Sequence, residues 1–314
     1  MHKPSLMKVP IDVPVIVNIA GGKGGVGTST LTANMAYALG SAGAAYGTIG
    51  VVDTAYGANS TLSKLLGIPP LATNGFWNYV FSKYCDQDCQ LPHGTASITP
   101  QAREHIWVVT SGTYESFMID WGLSYILSKF GNDPNRVSWE LYDTIVEILL
   151  SGLMPRGVNL VLVDIPGSVF KPLIWAFLML ARIVNVVVKA GSTHQDEALE
   201  MLNFVRDVLN WRVSRNYGSF DVILVVNHAL PGDNTANELK SRGVPMLETR
   251  VLPYSPAVQV ITDVLKDIAV LYDVPEDKYF RKWKEEVLNL ARNEYELAKA
   301  RKAPGKPGFF RKFP

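Results

Sequence analysis

The chain has 314 residues, 47% of them hydrophobic, which is ample for the core of one large α/β domain or two average ones. Its formal net charge of +1 creates no global field of the kind that draws proteins onto nucleic acid, although it does not exclude a local DNA-binding patch. Two cysteines, Cys85 and Cys89, exclude a disulfide scaffold and suit a cytosolic protein, and Met1 to Pro14 lacks the uninterrupted apolar core of a signal peptide.

Apolar runs with strand character recur along the chain. Val15–Ala20 is the first and Thr48–Asp53 the second; His105–Thr110, Asn159–Asp164, Ile183–Lys189, Asp221–Asn227 and Glu248–Pro253 follow. Unbroken Val, Ile and Leu predict strands covered on both faces, as in a parallel sheet. Helical patterns lie between and after them, at 31–43, 61–67, 114–130, 138–153, 170–181, 194–210, 234–242 and 256–272. The alternation predicts a doubly wound, mostly parallel α/β fold, with ligands beyond the carboxyl ends of the strands.

Between the first strand and the first helix lies Gly-Gly-Lys-Gly-Gly-Val-Gly-Thr-Ser-Thr, residues 21–30. Glycines let successive backbone N–H groups turn inward, and a helix N-terminus adds partial positive charge, so the stretch predicts a phosphate cradle. The usual phosphate loop reads Gly, four residues, Gly-Lys-Ser/Thr. Gly22, Gly27 and Ser29 fit that frame, but Thr28 stands in the lysine slot and the loop's lysine is Lys23. Asp53 and Asp164 end the second and fourth runs, on the same rim. They predict a Mg²⁺ site, with the ion held directly or through water by Ser29, Asp53 and Asp164. The alternative is that each caps the turn that follows it.

Four other stretches carry weaker signals. Cys85-Asp86-Gln87-Asp88-Cys89, followed by His93 and His105, lacks a standard zinc spacing and suits unligated thiols or a local disulfide better. Pro172 to Val188 is apolar, but Arg182 and Asn185 interrupt it short of a membrane span, which predicts a buried helix running into a buried strand. From Glu276 to Arg301, Tyr279, Phe280, Trp283, Val287, Leu290, Ala291, Tyr295 and Ala298 recur at helical spacing and predict an amphipathic helix docked on the domain. Lys299 to Pro314 then carries six Lys or Arg and no acid, with Phe309, Phe310 and Phe313 among them. Such a tail is either simply solvated or suited to an anionic membrane surface or a protein partner.

Lys-Gly-Gly-Val-Gly at 23–27 resembles the deviant phosphate loop of the ParA/MinD family of P-loop ATPases, and a loop of the form Gly-Gly-Val-Gly-x-Ser/Thr-Thr resembles their TadZ/CpaE branch. The resemblance implies that Gly22, Lys23, Gly24, Gly25, Val26, Gly27, Thr28, Ser29 and Thr30 bind ATP or ADP, and that Lys23 reaches the nucleotide of a partner in a dimer. The family's Asp-x-Asp-Pro-Gln-Gly-Asn-x-Thr aligns without a gap to 53–61. Asp53, Asn59 and Thr61 match, but the water-orienting carboxylate falls on Ala55. Val163 to Gly167 resembles the switch II segment, Asn227 the residue that bonds adenine, and Leu252-Pro253-Tyr254 the loop beside the base. The implied organisation is a P-loop nucleotide-binding domain at 1–273, a C-terminal amphipathic helix at 274–303 and a basic aromatic tail at 304–314. The implied function is that of a nucleotide-dependent homodimer, cytoplasmic or peripheral at the inner face of the membrane, that positions or recruits a larger assembly through a protein partner. Thr28 and Ala55 imply weak or lost hydrolysis; the alternative is an active slow ATPase of chromosome or plasmid partition.

Overall fold

The computed structural model describes residues 11–22, 24–56, 60–68, 74–89, 91, 98–167, 170–191, 195–242, 248–260, 277–301 and 303. The first half holds β1 (Val15–Ala20), α1 (Thr28–Gly40), α2 (Gly43–Tyr46), β2 (Thr48–Asp53), α3 (Thr61–Leu65), α4 (Phe76–Tyr84), β3 (Gln101–Arg103) and β4 (Ile106–Val109). The second holds α5 (Ser116–Lys129), α6 (Pro134–Ile148), β5 (Val158–Ile165), α7 (Lys171–Leu178), β6 (Ile183–Lys189), α8 (Gln195–Ser214), β7 (Asp221–Ala229), α9 (Thr235–Ser241), β8 (Glu248–Pro253), α10 (Pro256–Val260) and α11 (Lys278–Ala300).

The strands form one sheet in the order β3-β4-β2-β5-β1-β6-β7-β8, parallel throughout except for the β3–β4 pair. β1 lies at the centre, with Val17 opposite Val163 of β5 on one side and Val184 of β6 on the other. Every residue of β1 is buried because helices cover both faces. On one face Val17, Ile19, Val163, Val186 and Leu224 pack with Phe76, Trp77 and Phe177. On the other, Ile16, Leu162, Val187 and Val225 pack with Leu31 and Met35 of α1 and with Trp283, Leu290 and Tyr295 of α11. Shortening one such side chain to alanine costs about 2–5 kcal/mol, so each face is a substantial anchor.

All seven predicted strands form, and the doubly wound arrangement stands. The boundaries differ where polar residues carry the signal. α1 begins at Thr28, ahead of the apolar pattern, because Gly27 ends the loop in the left-handed region and Thr28-Ser29-Thr30 enter the helix at once. α6 begins at Pro134, with the Asp133 carboxylate accepting from the Asn135 N–H at 2.9 Å, an N-cap followed by a proline at the first helical position. α4 and the three-residue edge strand β3 were not expected from periodicity. Of the predicted helix 256–272, α10 is described as far as Val260. The boundary near 273, Asn59, His93 and the tail from 304 lie outside the described residues.

Pro172 to Val188 folds as α7 running into β6, and no described helix is long and apolar enough to cross a membrane. Cys85 and Cys89 form a disulfide between the end of α4 and the short turn after it, and no metal-binding group of His, Cys, Asp or Glu occurs among the described residues.

Candidate functional site

β1 delivers the chain to the rim of the sheet, and Gly21 stays attached there through its N–H to the Val187 carbonyl of β6, at 2.7 Å. The loop then turns back into α1. Gly27 takes φ 94°, and a Cβ on it would stand 2.2 Å from the Asn227 amide nitrogen. That nitrogen donates to the Val26 carbonyl at 2.9 Å. Gly167, just beyond β5, comes so close that a Cβ there would stand 1.6 Å from the Gly22 carbonyl oxygen. Glycine is thus required at 27 by conformation and contact, and at 167 by contact alone.

Beside the loop lies a cleft of about 500 Å³. Gly24, Gly25, Val26, Gly27, Thr28, Ser29 and Thr30 line one side; Pro166, Gly167, Lys189 and Asn227 line it further, and Leu252, Val258 and Trp283 supply apolar surface. Gly22 lines a second cavity of about 230 Å³ that shares Gly24, Gly25, Val26 and Lys189 with the first. Pro253 closes β8, and its neighbour Leu252 is the residue that lines the cleft. Lys23 lies outside the described residues.

The polar groups divide into committed and uncommitted ones. Ser29 donates its hydroxyl to Asp164 Oδ2 at 2.6 Å. The other oxygen of Asp164 is buried without a hydrogen-bond partner, and so is the hydroxyl of Thr28. Burial raises the Asp164 carboxyl to about 8, with the neighbouring charge of Asp53 pushing the same way. The two carboxyls lie side by side because Asp53 and Asp164 are in register across β2 and β5. Asp53 has a cap's partners: its oxygens accept from the Ser60 hydroxyl, the Ser63 hydroxyl at 2.8 Å and the Ala55 N–H at 3.0 Å, at the start of α3. Its pKa is also raised, by burial.

Asn227 is engaged with the protein at both ends, since its oxygen accepts from the His228 N–H at 3.0 Å. It holds the loop against β7 through Val26. Ala55 offers only backbone, its carbonyl accepting from the Trp77 indole at 3.0 Å. Tyr56, next to it, is pushed up to about 12 by burial and accepts from the Phe170 N–H at 3.4 Å.

A buried polar line runs from α11 into the loop's helix. Glu294 accepts from Asn185 at 2.8 Å, Asn185 donates to Asn18 at 2.8 Å, and Asn18 donates to the Thr32 hydroxyl at 2.9 Å. Thr32 donates in turn to the Thr28 carbonyl at 2.9 Å. Sequence reasoning missed this line, as it missed Trp283 and Lys189 in the cleft. For Lys189 a signal existed: a lysine ending an apolar strand at its carboxyl end. For Trp283 there was none, because helical spacing identifies a buried face and not what it covers.

Taken together, a glycine-rich turn into the start of α1 stands beside an uncommitted carboxyl oxygen and hydroxyl, with an apolar wall beyond. No family model and no curated protein sequence matches the chain. Several solved structures do. The cell division ATPase MinD of Pyrococcus furiosus matches with a TM-score of 0.57 at 18% identity, over 90% of this chain and 99% of that one. A putative plasmid partition protein from Borrelia burgdorferi bound to AMPPNP gives 0.51 at 14%, over 90% and 99%. Cobyrinic acid a,c-diamide synthase from Mycobacterium smegmatis, with an ATP analogue and magnesium, gives 0.54 at 16%, over 93% and 99%. The chain therefore has the fold of the ParA/MinD type of P-loop ATPases.

Proposed function

We propose that the chain binds Mg-ATP or Mg-ADP in the cleft beside residues 21–30. On this proposal nucleotide drives a homodimer that positions or recruits a larger assembly through a protein partner. The observation that carries it is the Ser29–Asp164 hydrogen bond at the mouth of the loop, with a buried, unpartnered carboxyl oxygen behind it. A buried acceptor without a donor is costly, and a cation or a bound water relieves that cost. The donor set fits Mg²⁺: Ser29 and Asp164 would hold the ion, and Asp53 lies next to Asp164 with its oxygens occupied by α3. When bound, the ion neutralises charge on the phosphates. The protein's own groups cradle those phosphates, and Leu252, Val258 and Trp283 offer apolar surface for the base.

Hydrolysis is weak or lost on the same proposal, as in the TadZ/CpaE-like proteins the loop resembles. Thr28 supplies a hydroxyl where a cation is usual, and no carboxylate stands at Ala55. Tyr56 does not substitute, since a phenol raised to about 12 holds its proton at neutral pH. The Ser29–Asp164 pair serves nucleotide binding in either reading, and turnover separates the scaffold from the alternative, an active slow ATPase of partition. The protein acts in the cytoplasm, with residues 304–314 as a contact for an anionic membrane surface.

Calorimetric titration with ATP and ADP, with and without magnesium, tests the proposal. Weak, magnesium-dependent binding with turnover near background is expected. No heat and no thermal shift at millimolar nucleotide removes the nucleotide reading, and vigorous turnover replaces the scaffold with the enzyme.

A further inference from the structure

We propose that Lys189 is the cation that meets the phosphate chain of the bound nucleoside di- or triphosphate, from a strand the usual motif does not include. This rests on the nucleotide reading above and assigns within it a residue that neither the motif nor the loop supplies.

β6 runs parallel to β1, with Val187 opposite Ala20, and the Gly21 N–H binds the Val187 carbonyl. Two residues further on, Lys189 therefore lies alongside the loop as it leaves β1. Strand alternation fixes its face. Ile183 and Val187 pack on the side of α1, while Val184, Val186 and Val188 pack on the opposite side, so residue 189 belongs with α1 and the cleft. Across the sheet Lys189 is in register with Asn227, the residue that grips Val26.

The cleft needs such a group. Among the described residues lining it, Lys189 is the one lysine or arginine, and it lines the adjoining cavity as well. Six of the seven residues of β6 are buried and only Lys189 is exposed, so its ammonium is hydrated and free to move on a four-carbon stem. The unpartnered, buried Thr28 hydroxyl lines the same cleft and offers a donor to the same anion. A nucleotide's phosphates attract a cation more strongly than backbone N–H groups alone, and charge-assisted hydrogen bonds are about twice as strong as neutral ones.

The experiment is a titration of the full chain and its Lys189→Ala and Lys189→Arg variants with Mg-ATP and, separately, with adenosine. Lys189→Ala is expected to weaken Mg-ATP about 10- to 100-fold, as loss of a charged hydrogen bond implies, and to leave adenosine unchanged. Lys189→Arg should recover most of the loss. Equal Mg-ATP affinity in the wild type and Lys189→Ala overturns the assignment while the nucleotide reading survives. An equal loss for Mg-ATP and adenosine also overturns it, because the residue would then act on the base or the fold. A wild type that binds neither ligand removes the nucleotide reading itself, and Lys189 with it.

Discussion

Glu294 is a carboxyl in an apolar interface, 1% exposed, with one oxygen bonded to Asn185 and the other unpartnered. Burial raises it to about 8; the Asn185 hydrogen bond and the charge of Arg250 pull the other way, and Glu248 adds to the rise. The folded chain therefore keeps this proton over a range where the unfolded chain has lost it. The group's contribution to stability is full below the ordinary carboxylate value and is lost as the pH rises towards 8, at up to about 1.4 kcal/mol per pH unit. Glu294→Gln removes the titration. Urea unfolding at pH 6 and pH 8 should show the variant gaining on the wild type at the higher pH; a difference independent of pH would mean that Glu294 is already ionised when folded. Residue by residue, the sequence conveyed chemistry better than commitment. Asp53 and Asp164 both read as rim carboxylates, yet one is occupied by Ser60 and Ser63 and the other keeps an oxygen unpartnered. The difference comes from where α3 begins, which no spacing rule fixes.

α11 shows what an element reveals in advance. Its apolar stripe was legible because 3.6-residue periodicity survives in any context: Phe280, Trp283, Val287, Leu290, Ala291, Tyr295 and Ala298 are all buried, while Tyr279 is 55% exposed. α4 was not foreseen, although Phe76, Trp77, Val80, Phe81 and Tyr84 recur at helical spacing on its buried face, because a nine-residue apolar run does not distinguish helix from strand. Nor was the far end of α11, which polar groups hold. Arg182 donates to the carbonyls of Ala298 and Arg301, both at 2.9 Å, and the Arg301 guanidinium grips the Asp221 carboxylate with two hydrogen bonds, one of 2.5 Å. Asp221 is nearly buried, so losing Arg301 strands a charge at the edge of the sheet. Truncation after Ala303 should therefore melt like the full chain, while truncation after Ala298 should lower Tm by several degrees, equivalent to about 1–3 kcal/mol. Equal melting of the two truncations would show that the Arg301 contacts are solvated in practice.

At the scale of the molecule, the loop, Asp164, Asn227 and Lys189 reach one rim because β1, β5, β6 and β7 are parallel neighbours, and parallel strands bring their carboxyl ends together. If the proposed dimer forms across that rim, sedimentation at saturating Mg-ATP should show a species of twice the mass, absent without nucleotide and absent in Lys23→Ala with either. A monomer in every condition at high protein concentration counts against a nucleotide-driven pair. The placement of α11 also bears on how the chain is made. The sheet face it covers, with Ile16, Ala20, Ile183, Val187 and Val225, is drawn from strands spread through the sequence before it. On a ribosome those strands emerge first, and about forty residues separate Val260 from Ala300. At about 5–20 residues per second, the part of that apolar face left uncovered by α1 waits on the order of 2–8 s for α11. During that wait the nascent chain is a client for any chaperone that holds apolar surface, and two nascent chains on one message are each other's nearest hazard.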